Sequence, residues 1–563
     1  MPIHSRWKIP LPVESLQSHL FISETSPLPQ KTAFLDSEKP YTHYLTYESL
    51  RLLSLRFAAG LQKAGLQRGD RVLLFSGNNV LFPAVFMGIV MAGGVFTGAN
   101  PGYVERELAF QLRDSGARFC LCADSDGRLE LGIRAAESVG MSKEQVFRFD
   151  DGFFEGKIDG RLGARDWTSL LESESIGKRF KWAVVEDPKD ETICLNYSSG
   201  TTGVPKGVMV THYNYVSNAI QYQFLAEQYP DFEDRTINAV WLCPLPMYHA
   251  MAQTIHIAGS IKRRIPVYIM KKFDFVKWLE AIQKYRVTAL IMVPPLVVAL
   301  AKSPLTRKYD LSSVKEIGSG AAPLSGEVVE ECEALWPTRD RRLRQGWGMT
   351  EVTCSMLGWD PTLPGHPDSV GELNANCSAK IMDVDGKKEV LAGERGEIWV
   401  QAPNVMKGYW RNPKATSEVF VHGPDGRWMR TGDIAFVDKQ GRFFIVDRMK
   451  ELIKVKGLQV APAELEAVLL EHPDLNDACV VGVTIQGGEA PRAYVVKKQD
   501  SKVSEQEVAE WLVKRVSKHK RLTGGVVFVD VVPKNPSGKI LRKVLRERAK
   551  DEVGDKERVP AKL

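Results

Sequence analysis

Three stretches that follow one another almost without a spacer limit the fold more than anything else in the chain: RVLLFSGNN (71–79), PAVFMGIVMAGG (83–94) and VFTGANP (95–101). The first is an apolar run of strand length halted by Ser, Gly and Asn. The second holds apolar residues behind a proline, and the third is another short apolar run halted by Gly, Asn and Pro. A strand, a helix and a strand joined by short turns is the repeating unit of a parallel sheet, which is covered on both faces. The span Val80 to Phe96 does not read as a membrane segment, because Pro83, Gly88, Gly93 and Gly94 interrupt it and it is shorter than the roughly 20 residues a crossing needs.

TALIMVPP (288–295) and SVKEIGSGAAP (313–323) repeat the pattern, so roughly the first 440 residues are expected to be α/β with buried, mostly parallel strands. Beyond Asp447, short strands (ACVVGVT, RAYVVKK, VVFVDVV) alternate with amphipathic helices, one of them opened by the capping box Ser504-Glu505-Gln506-Glu507. The expected organisation is a large domain over 1–447, a hinge at 448–450 and a small α+β domain over 451–563. The joint VDRMKELIKVKG carries Arg448, Lys450, Lys454 and Lys456, more cations than a mere connector requires, and points to anions passing through it.

A chain of 563 residues exceeds one ordinary core. The net charge of +6, from 75 basic and 69 acidic residues, is too small to indicate nucleic acid; the basic run KILRKVLRERAK reads as a solvated helix face. The eight cysteines have no CxxC spacing and read as reduced core residues. MPIHSRWKIP has no apolar h-region, so secretion is not expected.

The segment with chemistry in it is YSSGTTGVPKG (197–207). A phosphate-transferring P-loop has its lysine directly after the last glycine and a hydroxyl directly after the lysine. Here Lys206 follows Pro205 and precedes Gly207. Glycines let backbone N–H groups approach an anion, and the hydroxyls of Ser198, Ser199, Thr201 and Thr202 add donors without bulk.

Five elements in order, YSSGTTGVPKG, QGWGMTE (345–351), RTGD (430–433), VDRMKELIKVKGLQVAPAELE (446–466) and PKNPSGKILRK (533–543), resemble the adenylate-forming superfamily of acyl-CoA synthetases, aryl-CoA ligases and luciferases. The wording is most similar to 4-coumarate:CoA ligases and fungal phenylacetyl-CoA ligases. The resemblance implies ATP, Mg²⁺ and CoA as cofactors and a carboxylic acid as substrate, joined first to AMP and then to a thiol. In the first step two anions meet, the carboxylate and the α-phosphate, so cations and amide donors are required.

By that resemblance Lys539 bridges carboxylate and α-phosphate. Ser198, Ser199, Gly200, Thr201, Thr202 and Lys206 hold the outer phosphates, Thr350 touches the α-phosphate, and Glu351 holds Mg²⁺. Gln345, Gly346 and Trp347 flank adenine, with Trp347 in place of the usual tyrosine; Asp433 and Arg448 hold the ribose. Lys450 matches the hinge, and Lys454 and Gln459 the half-reaction machinery; Lys272, Lys456 and Gly457 would contact CoA. The acid pocket is assigned to Tyr248, His249, Met251, Gly318, Gly320, Ala321 and Val352, with His249 orienting the carboxylate.

Two positions depart from the plant coumarate ligases. Gly318 stands where a lysine is common and Met251 where a tyrosine is common, so a ring hydroxyl loses its partners. An apolar aryl, arylalkyl or medium-chain acid is the expected substrate. The rival readings are an enzyme that passes its adenylate elsewhere, as a luciferase does, and a non-catalytic binder. The tripeptide Ala561-Lys562-Leu563 resembles the peroxisomal signal Ser-Lys-Leu and implies a peroxisomal import receptor as partner, with a cytoplasmic location otherwise. A fluorescent fusion lacking these three residues is expected to stay in the cytosol; undiminished punctate import would remove this expectation.

Overall fold

The computed structural model describes residues 2–198, 204–336, 338, 341–383, 385–455, 458–485, 488–535 and 538–554. Arg71–Phe75 is a strand, Phe82–Met91 a helix and Val95–Ala99 a strand parallel to the first. Every residue of that helix is buried, which accounts for an apolar character on all its faces.

These strands lie in an eight-stranded sheet in the order 408–409, 206–211, 192–198, 95–99, 71–75, 117–123, 146–149, 165–166. The pairings from 192–198 onward are parallel, whereas Lys206–Thr211 turns back against Thr192–Ser198 as an antiparallel hairpin. A seven-stranded sheet runs 343–345, 316–319, 289–292, 241–243, 267–269, 32–36, 44–46, parallel up to its last, antiparallel edge. The strand ends of both sheets carry the loops that form the site described below.

A third sheet departs from the sequence expectation. Strands 3–4, 378–382, 396–401, 426–437, 420–423 and 443–448 pair only in antiparallel fashion. The physical reason is connection length: tight turns such as that between Phe420–Gly423 and Gly426–Val437 join hairpins, while a parallel pair needs a crossover of a dozen or more residues.

After the turn Met449–Glu451, a hairpin of Ile453–Val455 with Leu458–Val460 and a sheet of 475–485, 488–497 and 526–528 pack against helices 462–470, 505–513 and 542–554. Ser504 and Glu507 form the expected reciprocal cap. The basic run near the end is solvated along one face, where Lys543, Arg548 and Lys550 are exposed, but a stripe of it turns inward. Arg542, Leu545 and Ala549 fall at helical spacing, and Leu545 and Ala549 are buried, while Arg542 makes ion pairs with Glu451 and Glu466.

The two lobes touch. A Cβ on Gly538, whose φ is +78°, would stand 3.0 Å from Pro295 and 3.1 Å from Val293, so glycine is needed both for the backbone and for the close approach. Lys302 Nζ donates to the carbonyl of Leu470 at 2.9 Å. All eight cysteines are free, and all but Cys354 are buried. Among the described residues no helix is long and apolar enough to cross a membrane.

Candidate active site

Ser198 ends its strand where the hairpin begins, directly opposite Lys206. Its hydroxyl donates to Glu351 Oε1 at 2.9 Å, and the Tyr409 phenol donates to the same oxygen at 3.0 Å. Lys206 Nζ sits 4.5 Å from the centre of the Tyr409 ring. Glu351 reaches this point on the short helical turn Thr350–Val352. That turn closes tightly: a Cβ on Gly348 would overlap the Cys354 carbonyl at 1.7 Å. Upstream, Tyr197 OH donates to Asp114 Oδ2 at 2.6 Å and ties down the strand before the loop. Ser199, Gly200, Thr201 and Thr202 lie outside the described residues.

Both hydroxyls converge on Oε1 of Glu351. A single carboxylate beside phosphate donors fits Mg²⁺, which binds through one or two carboxylates plus substrate phosphates.

Asp433 and Arg448 are direct partners across the antiparallel pair 426–437 and 443–448. Arg448 Nε lies 3.1 Å from Asp433 Oδ1, and the Asp433 carboxylate raises the Arg448 pKa against the opposing effect of burial. Yet Oδ1 has no hydrogen bond, because at this distance the guanidinium N–H is not aimed at it. Its sister Oδ2 accepts from the Trp347 indole N–H at 2.8 Å. The tryptophan therefore replaces the lost phenol with a donor of its own. Asp433 is left with one buried, unfilled acceptor, as a ribose hydroxyl requires. Gln345 binds the carbonyls of Leu324 and Pro367, and Gly346 N–H donates to Ser319 O at 2.9 Å. Both thus fix the backbone around Trp347.

Lys539 arrives from the small lobe on a turn held by Asn535, whose Oδ1 accepts from Lys539 N–H at 2.8 Å. Burial, with Arg448 adding repulsion, lowers the Lys539 pKa to about 8, while Asp433, Glu451 and Glu351 pull in the opposite sense. His249 is pushed down to about 4, first by burial and then by the Lys539 charge. The two lobes thus bring Lys539 and His249 together beside Glu351, Asp433 and Arg448. A narrow cavity within the large lobe is lined by Tyr248, His249, Asn196 and Thr350.

Of the remaining acid-pocket residues, the Met251 methyl group comes within 3.7 Å of where a Cβ on Gly320 would stand, and Val352 is buried. Ala321 holds φ +77°, a left-handed conformation that costs a non-glycine residue energy and recurs at ligand sites. A Cβ on Gly318 would meet only ordinary contacts, the nearest being Arg344 O at 3.7 Å.

Lys454 and Gln459 face each other across the small hairpin and are exposed, in contrast to the half-buried Lys539, His249 and Arg448. Lys450 lies in the turn Met449–Glu451. Lys272 is exposed, while its neighbour Lys271 is paired with Asp36 and Asp151. Lys456 and Gly457 lie outside the described residues, as do Ala561, Lys562 and Leu563. Sequence reasoning missed Tyr409 and Asn196. Their residue types signal nothing, and only the sheet pairing of 206–211 with 408–409 brings Tyr409 to Glu351.

A family model described as AMP-binding enzyme matches residues 24–410. The chain belongs to this family. The model for the AMP-binding enzyme C-terminal domain matches residues 464–539. Among curated relatives, 4-coumarate–CoA ligase 1 of Petroselinum crispum is 37% identical over 512 residues, covering 89% of each chain. Phenylacetyl-CoA ligase epaB of Aspergillus niger is 34% identical over 559 residues, covering 97% of this chain and 98% of the relative. Among solved structures, ATP-bound MatB from Rhodopseudomonas palustris superposes with a TM-score of 0.81 at 28% identity, covering 96% of this chain and 99% of that one.

Proposed function

We propose that this AMP-binding enzyme is an AMP-forming acid:CoA ligase for an apolar aryl, arylalkyl or medium-chain carboxylic acid. The observation that carries the reading is Lys539, one half-buried cation whose charge acts on His249 on the acid side and is acted on by Asp433, Arg448 and Glu351 on the nucleotide side. In the first half-reaction a carboxylate oxygen attacks the α-phosphorus, the bond to the β-phosphate oxygen breaks, and pyrophosphate leaves. Lys539 offsets the repulsion of the two anions as they meet. Arg448 and Asp433 hold the sugar, and Ser198 and Lys206 stand at the leaving group. His249, neutral at physiological pH, orients the carboxylate without adding charge. Mg²⁺ at Glu351 would supply further charge neutralisation.

In the second half-reaction a CoA thiolate attacks the acyl carbon and AMP departs. Lys454 and Gln459, exposed on the small lobe, would reach the site when that lobe turns about 448–450. The lobe boundaries 1–447 and 451–563 belong to the same proposal.

Gly318 and Met251 set the substrate. Neither offers a hydrogen-bonding partner, and a buried hydroxyl left unpaired costs about 1–3 kcal/mol, roughly a tenfold to hundredfold loss in kcat/KM. Phenylacetate or hexanoate is therefore expected to exceed 4-coumarate in kcat/KM, and the reverse order would reject the pocket argument. Pyrophosphate release over aryl, arylalkyl and C4 to C12 acids, with and without CoA, tests the activity itself. Release with no thioester on adding CoA would favour an enzyme that passes its adenylate to another acceptor. No release with any acid would leave the binder.

A further inference from the structure

The helix after the Tyr248-His249 turn carries an irregularity that no motif accounts for. Gln253–Gly259 is a π-helical stretch set between α-helical Ala250–Ala252 and Ser260–Arg263, and such widened turns recur at functional sites. Its first residue, Gln253, is completely buried. Gln253 Nε2 donates to the Tyr248 carbonyl at 2.9 Å, and Oε1 accepts from Asn196 Nδ2 at 3.1 Å. The Gln253 backbone N–H donates to the His249 carbonyl at 3.1 Å. One residue therefore grips both members of the acid-side turn.

Asn196 stands two residues before Ser198 on one strand. Side chains two apart on a strand point to the same face, about 7 Å from each other. Ser198 binds Glu351 on the nucleotide side, while Asn196 binds Gln253 on the acid side. The strand thus acts as a spacer with one fixed attachment toward each substrate. The Cys194 thiol, further along the same face, donates to Asn196 Oδ1 at 3.1 Å and keeps that amide in one orientation.

We infer that Gln253 is a positioning residue: its carboxamide, bridging Asn196 and the Tyr248 carbonyl, sets the distance between the bound acid and the α-phosphate. The inference rests on the ligase reading. The reaction is sensitive to such a link, since a misplacement of about 1 Å costs roughly a hundredfold in rate. Gln253→Met keeps length and apolar volume but removes both amide contacts, taking this donor from the Tyr248 carbonyl and this acceptor from Asn196 Nδ2.

The test is a cycle of Gln253→Met, Asn196→Leu and the double variant, read by acid-dependent pyrophosphate release. Each single change is expected to lower kcat by about tenfold to a hundredfold while KM for ATP stays within about twofold, because the Ser198–Glu351 contact is untouched. The double variant is expected to be no slower than the worse single one, since either change alone breaks the bridge. Multiplying losses in the double variant, unchanged kcat in the singles, or a parallel rise in KM for ATP would each overturn the inference. If Gln253→Met does not fold, Gln253→Asn, which keeps the amide but is too short to span both partners, takes its place with the same expectations. A wild-type enzyme silent with every acid defeats the ligase reading instead; an active wild type with unchanged variants defeats this inference alone.

Discussion

Lys539→Ala loses acid-dependent pyrophosphate release by about a hundredfold to a thousandfold, the usual consequence of removing one preorganised charge-stabilising group. Supplied with acyl-AMP and CoA, the same variant retains thioester formation within a few-fold, because the anion pair that needs Lys539 exists only in the first step. Equal loss of both half-reactions would sink the division of labour between the two lobes. The pH profile carries a second signature. Burial holds the lysine near 8 in the free enzyme, so the ammonium is present below that pH and is lost as pH rises through it. Adenylation kcat/KM therefore falls above about pH 8. His249, already neutral above about 4, contributes no limb near neutrality.

Arg542→Met is the second large effect, and it acts on stability. Arg542 pairs with Glu451 at 2.8 Å and with Glu466, and its charge also acts on Asp447. Glu466 and Asp447 are buried, and burial lifts the pKa of both even with the guanidinium beside them. Removing Arg542 leaves the buried Glu466 and Asp447 carboxylates without its compensation, with only Arg546 still near Glu451, which costs about 3–5 kcal/mol near neutral pH. A carboxyl group whose folded pKa lies above its unfolded one binds more protons when folded. Its contribution to stability therefore falls as pH rises from the unfolded pKa through the folded one. Losing Arg542 raises the folded pKa values further, so the deficit is largest near pH 8 and shrinks toward pH 5. Hydrogen exchange reads this locally: amides of 475–485 and 488–497 lose protection in the variant while those of 71–75 keep theirs. Equal protection in variant and wild type at both pH values would refute the account.

What could be read beforehand follows a physical division. QGWGMTE and RTGD are local backbone shapes, and a local shape is written in consecutive residues. The parallel strands were legible for the same reason, since burial on both faces makes Val72–Phe75 or Ala289–Met292 uniformly apolar. Tyr409 was hidden because its role depends on a strand pairing that brings it to Glu351, 58 positions away. Arg542 was misjudged because a charge-rich run looks solvated until Leu545 and Ala549 reveal which face is turned inward. The antiparallel sheet of 378–448 was missed because its hairpins lie among segments already assigned to a parallel plan. Trp347 could not be judged from its residue type: the exchange of the usual tyrosine loses a phenol but supplies an indole donor to Asp433.

That last contact changes when the cost of ordering falls due. A free carboxylate side chain samples several rotamers, and a ligand that needs one of them must bear the loss of the others on binding. Asp433 has Trp347 on one oxygen and Arg448 against the other, so its rotational freedom is surrendered when the chain folds. A nucleotide then meets an acceptor already set. Its sugar can bind tightly with little ordering left to do, and the favourable free energy of that contact remains available for bringing the acid and the α-phosphate into line.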